Sequence, residues 1–157
     1  MLKEIFILNK AGIGLFYQNF EPYGQKDTDL ISAFLKIFQD LTLEYMNQSL
    51  QELKVGKDKI LFFSGEPVSF VLKINNTIPS NKIENRITYL KDRFLQNYTE
   101  QLTQKDINIK DFDAFEEVVK EEFDIKTKTK RKSSENLQKA FGISLSTVNL
   151  KKLIESL

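Results

Sequence analysis

Residues 3–20 read Lys3-Glu4-Ile5-Phe6-Ile7-Leu8-Asn9-Lys10-Ala11-Gly12-Ile13-Gly14-Leu15-Phe16-Tyr17-Gln18-Asn19-Phe20. Ile5-Phe6-Ile7-Leu8 is continuously apolar, the mark of a strand covered on both faces. Asn9 to Gly12 has turn composition. Ile13 to Phe20 then reads as a returning strand with aromatics at 16, 17 and 20, so the stretch is a hairpin. Glu21-Pro22-Tyr23-Gly24 closes it, because Pro has no N–H for a ladder and Gly permits the bend.

Working outward, Asp27, Thr28 or Asp29 can cap a helix. Its apolar stripe runs through Leu30/Ile31, Phe34/Leu35, Phe38, Leu41 and Tyr45/Met46. Three short strands follow: Leu50 to Val55, ending at Gly56-Lys57; Lys59 to Phe63, ending at Ser64-Gly65-Glu66-Pro67; and Val68 to Ile74, again almost wholly apolar. The short connections make them an antiparallel meander. Asn81 and Glu84 have the spacing of a capping pair. Beyond them Ile83, Ile87, Leu90, Phe94, Tyr98 and Leu102 predict a second helix. A shorter third helix starts near Asp111, with Phe112, Phe115, Val118/Val119 and Phe123 on one side. The order is ββ-α-βββ-α-α: α+β, with a body at 1–125. Lys126 to Ser134 is a basic linker, and 135–157 a tail of one or two short helices through Leu137, Phe141, Leu150, Leu153, Ile154 and Leu157.

Composition removes whole classes of chemistry. The 157 residues include no Cys and no His. Disulfides, thiolate nucleophiles, the commonest general base and the usual zinc ligands are therefore gone, and with them Ser-His-Asp and Cys-His catalysis. The 41% hydrophobic content and 13 Phe are enough for a real core. Charge is nearly balanced at +1, but unevenly placed. Residues 126–157 hold eight basic against two acidic side chains, and the rest holds 15 against 20. An acidic body with a basic tail points to a tail with its own task. The first residues hold too short an apolar run for a signal peptide, and no stretch approaches a membrane span. The expectation is a soluble, cytoplasmic protein.

Each motif has a plain structural reading. Gly12-Ile13-Gly14 lacks the third Gly and the following helix of a dinucleotide fingerprint, so these are turn glycines. Asp27/Asp29 and Asp111/Asp113 sit where helix N-termini favour acids, and lack the Gly and terminal Glu of a calcium loop. Glu116/Glu117 and Glu121/Glu122 fall on a polar helix face. The aromatics Phe6, Phe16, Tyr17, Phe34, Phe38, Phe62, Phe63, Phe70 and Phe94 follow the expected buried faces without interleaved cations, as core residues do and base-stacking platforms do not. No catalytic, cofactor-binding or metal-binding residue is assigned, and the chain is expected not to be an enzyme. The run Lys126, Lys128, Lys130, Arg131 and Lys132 is either a solvated linker or a contact for anionic membrane or nucleic acid.

The order ββ-α-βββ-α-α resembles the longin domain. The likeness is carried by Ile5-Phe6-Ile7-Leu8-Asn9-Lys10-Ala11-Gly12, by Leu15-Phe16, by Asp29-Leu30-Ile31 opening the helix, and by Lys59-Ile60-Leu61-Phe62-Phe63 before Val68-Ser69-Phe70-Val71-Leu72. Longin domains occur in SNAREs, small clathrin-adaptor subunits, tethering complexes and the signal recognition particle receptor, with free-standing archaeal versions. The related roadblock domain begins with an extra helix, for which this sequence has no room before its first strand. A longin SNARE would continue into heptads and usually an anchor, which 126–157 lacks. The resemblance implies a five-stranded antiparallel sheet in the order 2-1-5-4-3, with one helix on one face and two or more on the other. It also implies a vesicle-trafficking or GTPase-regulating scaffold that dimerises with itself or another longin/roadblock protein and meets a small GTPase. In that order, strands 13–20 and 50–55 are edges with free N–H and C=O groups. Leu50, Leu53 and Val55, with Phe38 and Tyr45 of the adjoining helix, are the expected contact surface. The alternative is an electrostatic binder, acting through 126–132 at a membrane periphery.

Overall fold

Among residues 2–22 and 26–124, which the computed structural model describes, the elements come in the expected order. They are β1 (Leu2–Asn9), β2 (Gly14–Asn19), α1 (Thr28–Met46), β3 (Glu52–Val55), β4 (Asp58–Phe63), β5 (Val68–Asn75), α2 (Asn81–Thr103) and α3 (Phe115–Glu122), with a 3-10 turn at Ile109–Phe112. The readings of a basic linker and a helical tail lie outside the described residues.

The strands form one antiparallel sheet in the order β2-β1-β5-β4-β3. This is the expected order. The two uninterrupted apolar strands, β1 and β5, are neighbours at its centre and pair from Glu4↔Lys73 to Asn9↔Val68. Side chains alternate across a strand. Ile5 and Ile7 therefore face one layer, Phe6 and Leu8 the other, and all four are buried. On the second face Phe6, Leu8, Phe62 and Val71 pack with Leu35 of α1. On the first, Phe70 and Phe16 meet the rings of α2 and α3. Phe70 and Phe94 are 6.1 Å apart edge to face, and Phe16 and Phe115 5.7 Å. Phe94 also contacts Phe112 and Phe115, at 5.4 and 5.1 Å.

Local signals hold in part. Asp27 caps α1, accepting the Leu30 N–H at 3.1 Å. Two expectations are corrected. Asn81 and Glu84 make no capping box: Ser80 precedes α2, with no side-chain cap bond. Its hydroxyl is engaged instead by Lys59, 3.0 Å away, and donates to Glu52 at 2.7 Å. Lys59 is buried, and a buried ammonium must be matched with acceptors. The third helix is also broken, into the 3-10 turn capped by Asn108 and then α3. In 3-10 winding residues i and i+3 lie on one side, which helps bring both Phe112 and Phe115 into the core.

The larger correction concerns α1. Of the expected core stripe only Leu35 is fully buried, and Ile31 and Phe38 are half-buried. Leu30, Phe34, Leu41, Tyr45 and Met46 are exposed. The doubled positions 30/31 and 34/35 span more of the helix than one sheet can cover. Small or polar Ser32 and Gln39 lie against the sheet instead.

Phe94 and Phe34 therefore separate cleanly. Phe94→Ala is expected to cost about 3–5 kcal/mol in denaturant unfolding, and Phe34→Ala less than about 0.5 kcal/mol. Similar losses for both would return Phe34 to the core.

Candidate interaction surface

Close contacts fix how α1 lies on the sheet. Gly12 adopts φ +84° in the β1–β2 turn, and a Cβ there would meet the Lys36 stem at 2.6 Å. A Cβ on Gly14 would stand 2.6 Å from the Ser32 hydroxyl. Further along, the Gln39 amide donates to the Ser64 hydroxyl at 3.1 Å, beyond the end of β4. These contacts seat α1 on the sheet, with Lys36 turned to the β1–β2 end. Lys36 also pairs with Asp40 at 2.9 Å.

Among the described residues nothing covers the opposite flank. Leu30, Phe34, Leu41 and Tyr45 are spaced by four, seven and four residues, which puts them on one side of a helix. Phe34 is 56% exposed, Leu41 60% and Tyr45 87%. Ile37 is exposed at the crest, and the Phe34 and Phe38 rings lie 5.3 Å apart. The stripe is roughly 22 Å long at 1.5 Å per residue. Isolated exposed apolar residues are ordinary, but a contiguous stripe marks an interaction site.

The edge of β3 is a second open feature. The Phe62 N–H donates to the Gln51 carbonyl at 2.9 Å, and Gln51 and Phe62 continue the register of Glu52↔Leu61 and Leu53↔Ile60. Hydrogen-bonded and non-bonded pairs alternate in an antiparallel ladder. Leu53 and Val55 therefore bond inward to β4, and the N–H and C=O groups of Glu52 and Lys54 point outward.

The five expected contact residues divide. Leu50 and Leu53 are half-buried and pack against the Phe6–Val71 cluster, so they serve the core as well as the edge. Phe38 is half-buried too. Val55, 58% exposed, and Tyr45 are open. The reading missed Leu30, Phe34, Ile37 and Leu41; the available signal was an apolar arc too wide for one buried face. Lys126, Lys128, Lys130, Arg131 and Lys132 lie outside the described residues.

The far end of the same sheet face is charged. A register shift in β1 between Leu2 and Glu4 brings Lys3 to Asp58, and to Glu21 at 3.7 Å. Buried Glu4 accepts the Tyr17 hydroxyl at 3.0 Å and pairs with Lys26. Lys73 donates to Glu21 at 3.2 Å. The Lys3 hydrogen bond holds the Asp58 carboxyl below its ordinary range, and Asp58 in turn raises Lys3. Burial, then the Glu4 hydrogen bond, pushes the Tyr17 hydroxyl up. These charges satisfy one another. Among the described residues no group of acidic side chains is arranged to hold a metal ion, and no helix is long and apolar enough to cross a membrane.

On the other side of β3, the Ser80 hydroxyl and then Lys59 hold the Glu52 carboxyl below its usual range. A lowered carboxyl contributes stability above its unfolded pKa and loses it as pH falls through the folded value. Ser80→Ala is expected to move Glu52 up toward the ordinary value in a carboxyl NMR titration, and to shrink the acid-sensitive part of stability. An unmoved Glu52 would assign the lowering to Lys59 alone.

No protein-family model matches the chain, and no curated protein matches it. Solved structures do. The gliding protein MglB from Thermus thermophilus is 14% identical, over 53% of this chain and 67% of that one, with a TM-score of 0.43. An MglB with a tetrameric arrangement gives the same figures. Myxococcus xanthus MglB is 15% identical over 63% of this chain and 85% of its own, with a TM-score of 0.51. At such identity the likeness speaks for architecture. With the 2-1-5-4-3 sheet and its helices on both faces, it shows that this chain has a longin/roadblock-like fold.

Proposed function

We propose that the chain is a non-catalytic pairing module. It joins another longin- or roadblock-fold chain through the outer stripe of α1 and the open edge of β3, and the pair holds or regulates a small GTPase in the cytoplasm. The observations that carry this reading are the exposed stripe Leu30–Phe34–Ile37–Leu41–Tyr45 of α1 and the outward backbone groups of the edge strand β3. Standard interfaces bury roughly 800 Å² on each partner. The apolar flank offers area for such a contact, and a strand edge adds directional hydrogen bonds. The GTPase follows from the longin resemblance of the sequence. The absence of His and Cys from the chain, with the mutually satisfied charges on the sheet, supports binding over catalysis.

The test is affinity capture by the full chain from its native lysate, with nucleic acid removed and bound proteins identified by mass spectrometry. The wild type is expected to retain a longin- or roadblock-fold protein or a small GTPase. The double variant Phe34→Asp/Leu41→Asp, with an unchanged unfolding midpoint, is expected to lose roughly tenfold or more of that binding. Recovery of nothing but anionic material, released by salt and lost on deleting 126–157, would overturn the reading in favour of the electrostatic binder.

A further inference from the structure

Resting on the pairing reading, we propose that Gln39 and Ser32 are specificity-determining residues of the α1 surface: polar pins beneath the helix that fix its rotation on the sheet, so that the apolar stripe faces outward. A helix turns about 100° per residue. Leu35 is the fully buried apolar residue of α1. Counted from it, Ser32 and Gln39 stand about 60° and 40° to one side. Ile31, Phe38, Tyr45, Phe34, Leu41 and Leu30 stand about 40°, 60°, 80°, 100°, 120° and 140° to the other. The middle of this apolar arc therefore falls between Phe38 and Phe34. The sheet lies under its edge instead, against Leu35, Ser32 and Gln39.

Apolar burial alone would roll the helix away from this position. A turn of about 80° would lay Phe38 and Phe34 over the Phe6–Val71 cluster and lift Ser32 and Gln39 toward water, and covering apolar surface is favourable. Directional contacts oppose that roll. Gln39, 8% exposed, donates its amide to the Ser64 hydroxyl at 3.1 Å. Ser32, 2% exposed, sits over Gly14, where a Cβ would stand 2.6 Å from its hydroxyl. Rolling would break the amide bond and bring Ile31 toward the close contact that Ser32 now fills. A polar residue in an apolar contact gives up burial and in exchange fixes one arrangement, as a single polar side chain in a coiled-coil seam fixes register. Here the arrangement fixed is the one that presents Phe34 and Leu41.

The test is Gln39→Leu in the full chain. Ser64→Ala is the second variant: it removes only an exposed acceptor and leaves α1 untouched, so the buried amide loses its partner and gains by turning to water. Nuclear Overhauser contacts of the Phe34 ring are the readout that needs no binding partner. Phe34 is 56% exposed, and in the wild type its ring is expected to show no contact with the methyl groups of Val71 or Leu8. In both variants those contacts are expected to appear. Gln39→Leu is expected to unfold at a denaturant midpoint no lower than that of the wild type, while losing roughly tenfold of its partner capture. A residue needed only for stability would lose both together, so a joint loss overturns the proposal. So does a Phe34 ring that stays in water in both variants. Failure of the wild type to capture any longin- or roadblock-fold chain would sink the pairing reading alone, because the Phe34 contacts still report which way α1 is turned.

Discussion

The pairing of β1 with β5 is the contact on which the remaining layers depend. Each strand is buried on both sides: Ile5 and Ile7 face the α2–α3 layer, and Phe6 and Leu8 face α1, none of them more than 5% exposed. A pair of strands with two apolar faces cannot lie at a sheet edge or against water. It requires strands on both flanks and helices on both sides. Full burial of each such side chain contributes about 1.5–3 kcal/mol, so exposing either face would forfeit several of these contributions at once.

The two helical layers meet that requirement differently. The α2–α3 layer is an aromatic jigsaw, in which Phe94 alone contacts Phe70, Tyr98, Phe112 and Phe115. It closes its face of the sheet. The α1 layer is one helix against one face and cannot do the same. It covers Phe6, Leu8, Phe62 and Val71 and leaves the far end to Glu4, Lys73, Asp58 and their partners. One side of the fold is thus finished by its own chain. The other carries an apolar helix flank with nothing from the described residues laid upon it.

Sequence patterning made the strands legible, because strands covered on both faces have a distinctive composition, which Ile5–Leu8 and Val68–Ile74 display; their order in the sheet came from the longin resemblance. The burial side of α1 was not legible. Periodicity reports which residues share a helix face; it does not report whether a partner from the same chain lies against that face. Leu30 and Leu35 are equally apolar, yet one is exposed and the other buried. The capping reading at Asn81 failed for a non-local reason: Ser80 is held by Lys59 and Glu52, which are distant in sequence and become neighbours only after β3 and β4 pair. The edge parity of β3 likewise becomes visible only once its register with β4 is known.

That parity depends on the length of one turn. β3 and β4 are joined by only Gly56 and Lys57, with Gly56 at φ +61°, and this tight turn sets which residues of β3 look outward. Surface turns ordinarily tolerate an inserted residue at little cost. Here a single insertion that shifted the register by one would send Glu52 and Lys54 inward and present Leu53 and Val55 at the edge. The same slip would turn Leu53 away from the Phe6–Val71 cluster against which it packs, so the length of this turn is held by the core as much as by the edge.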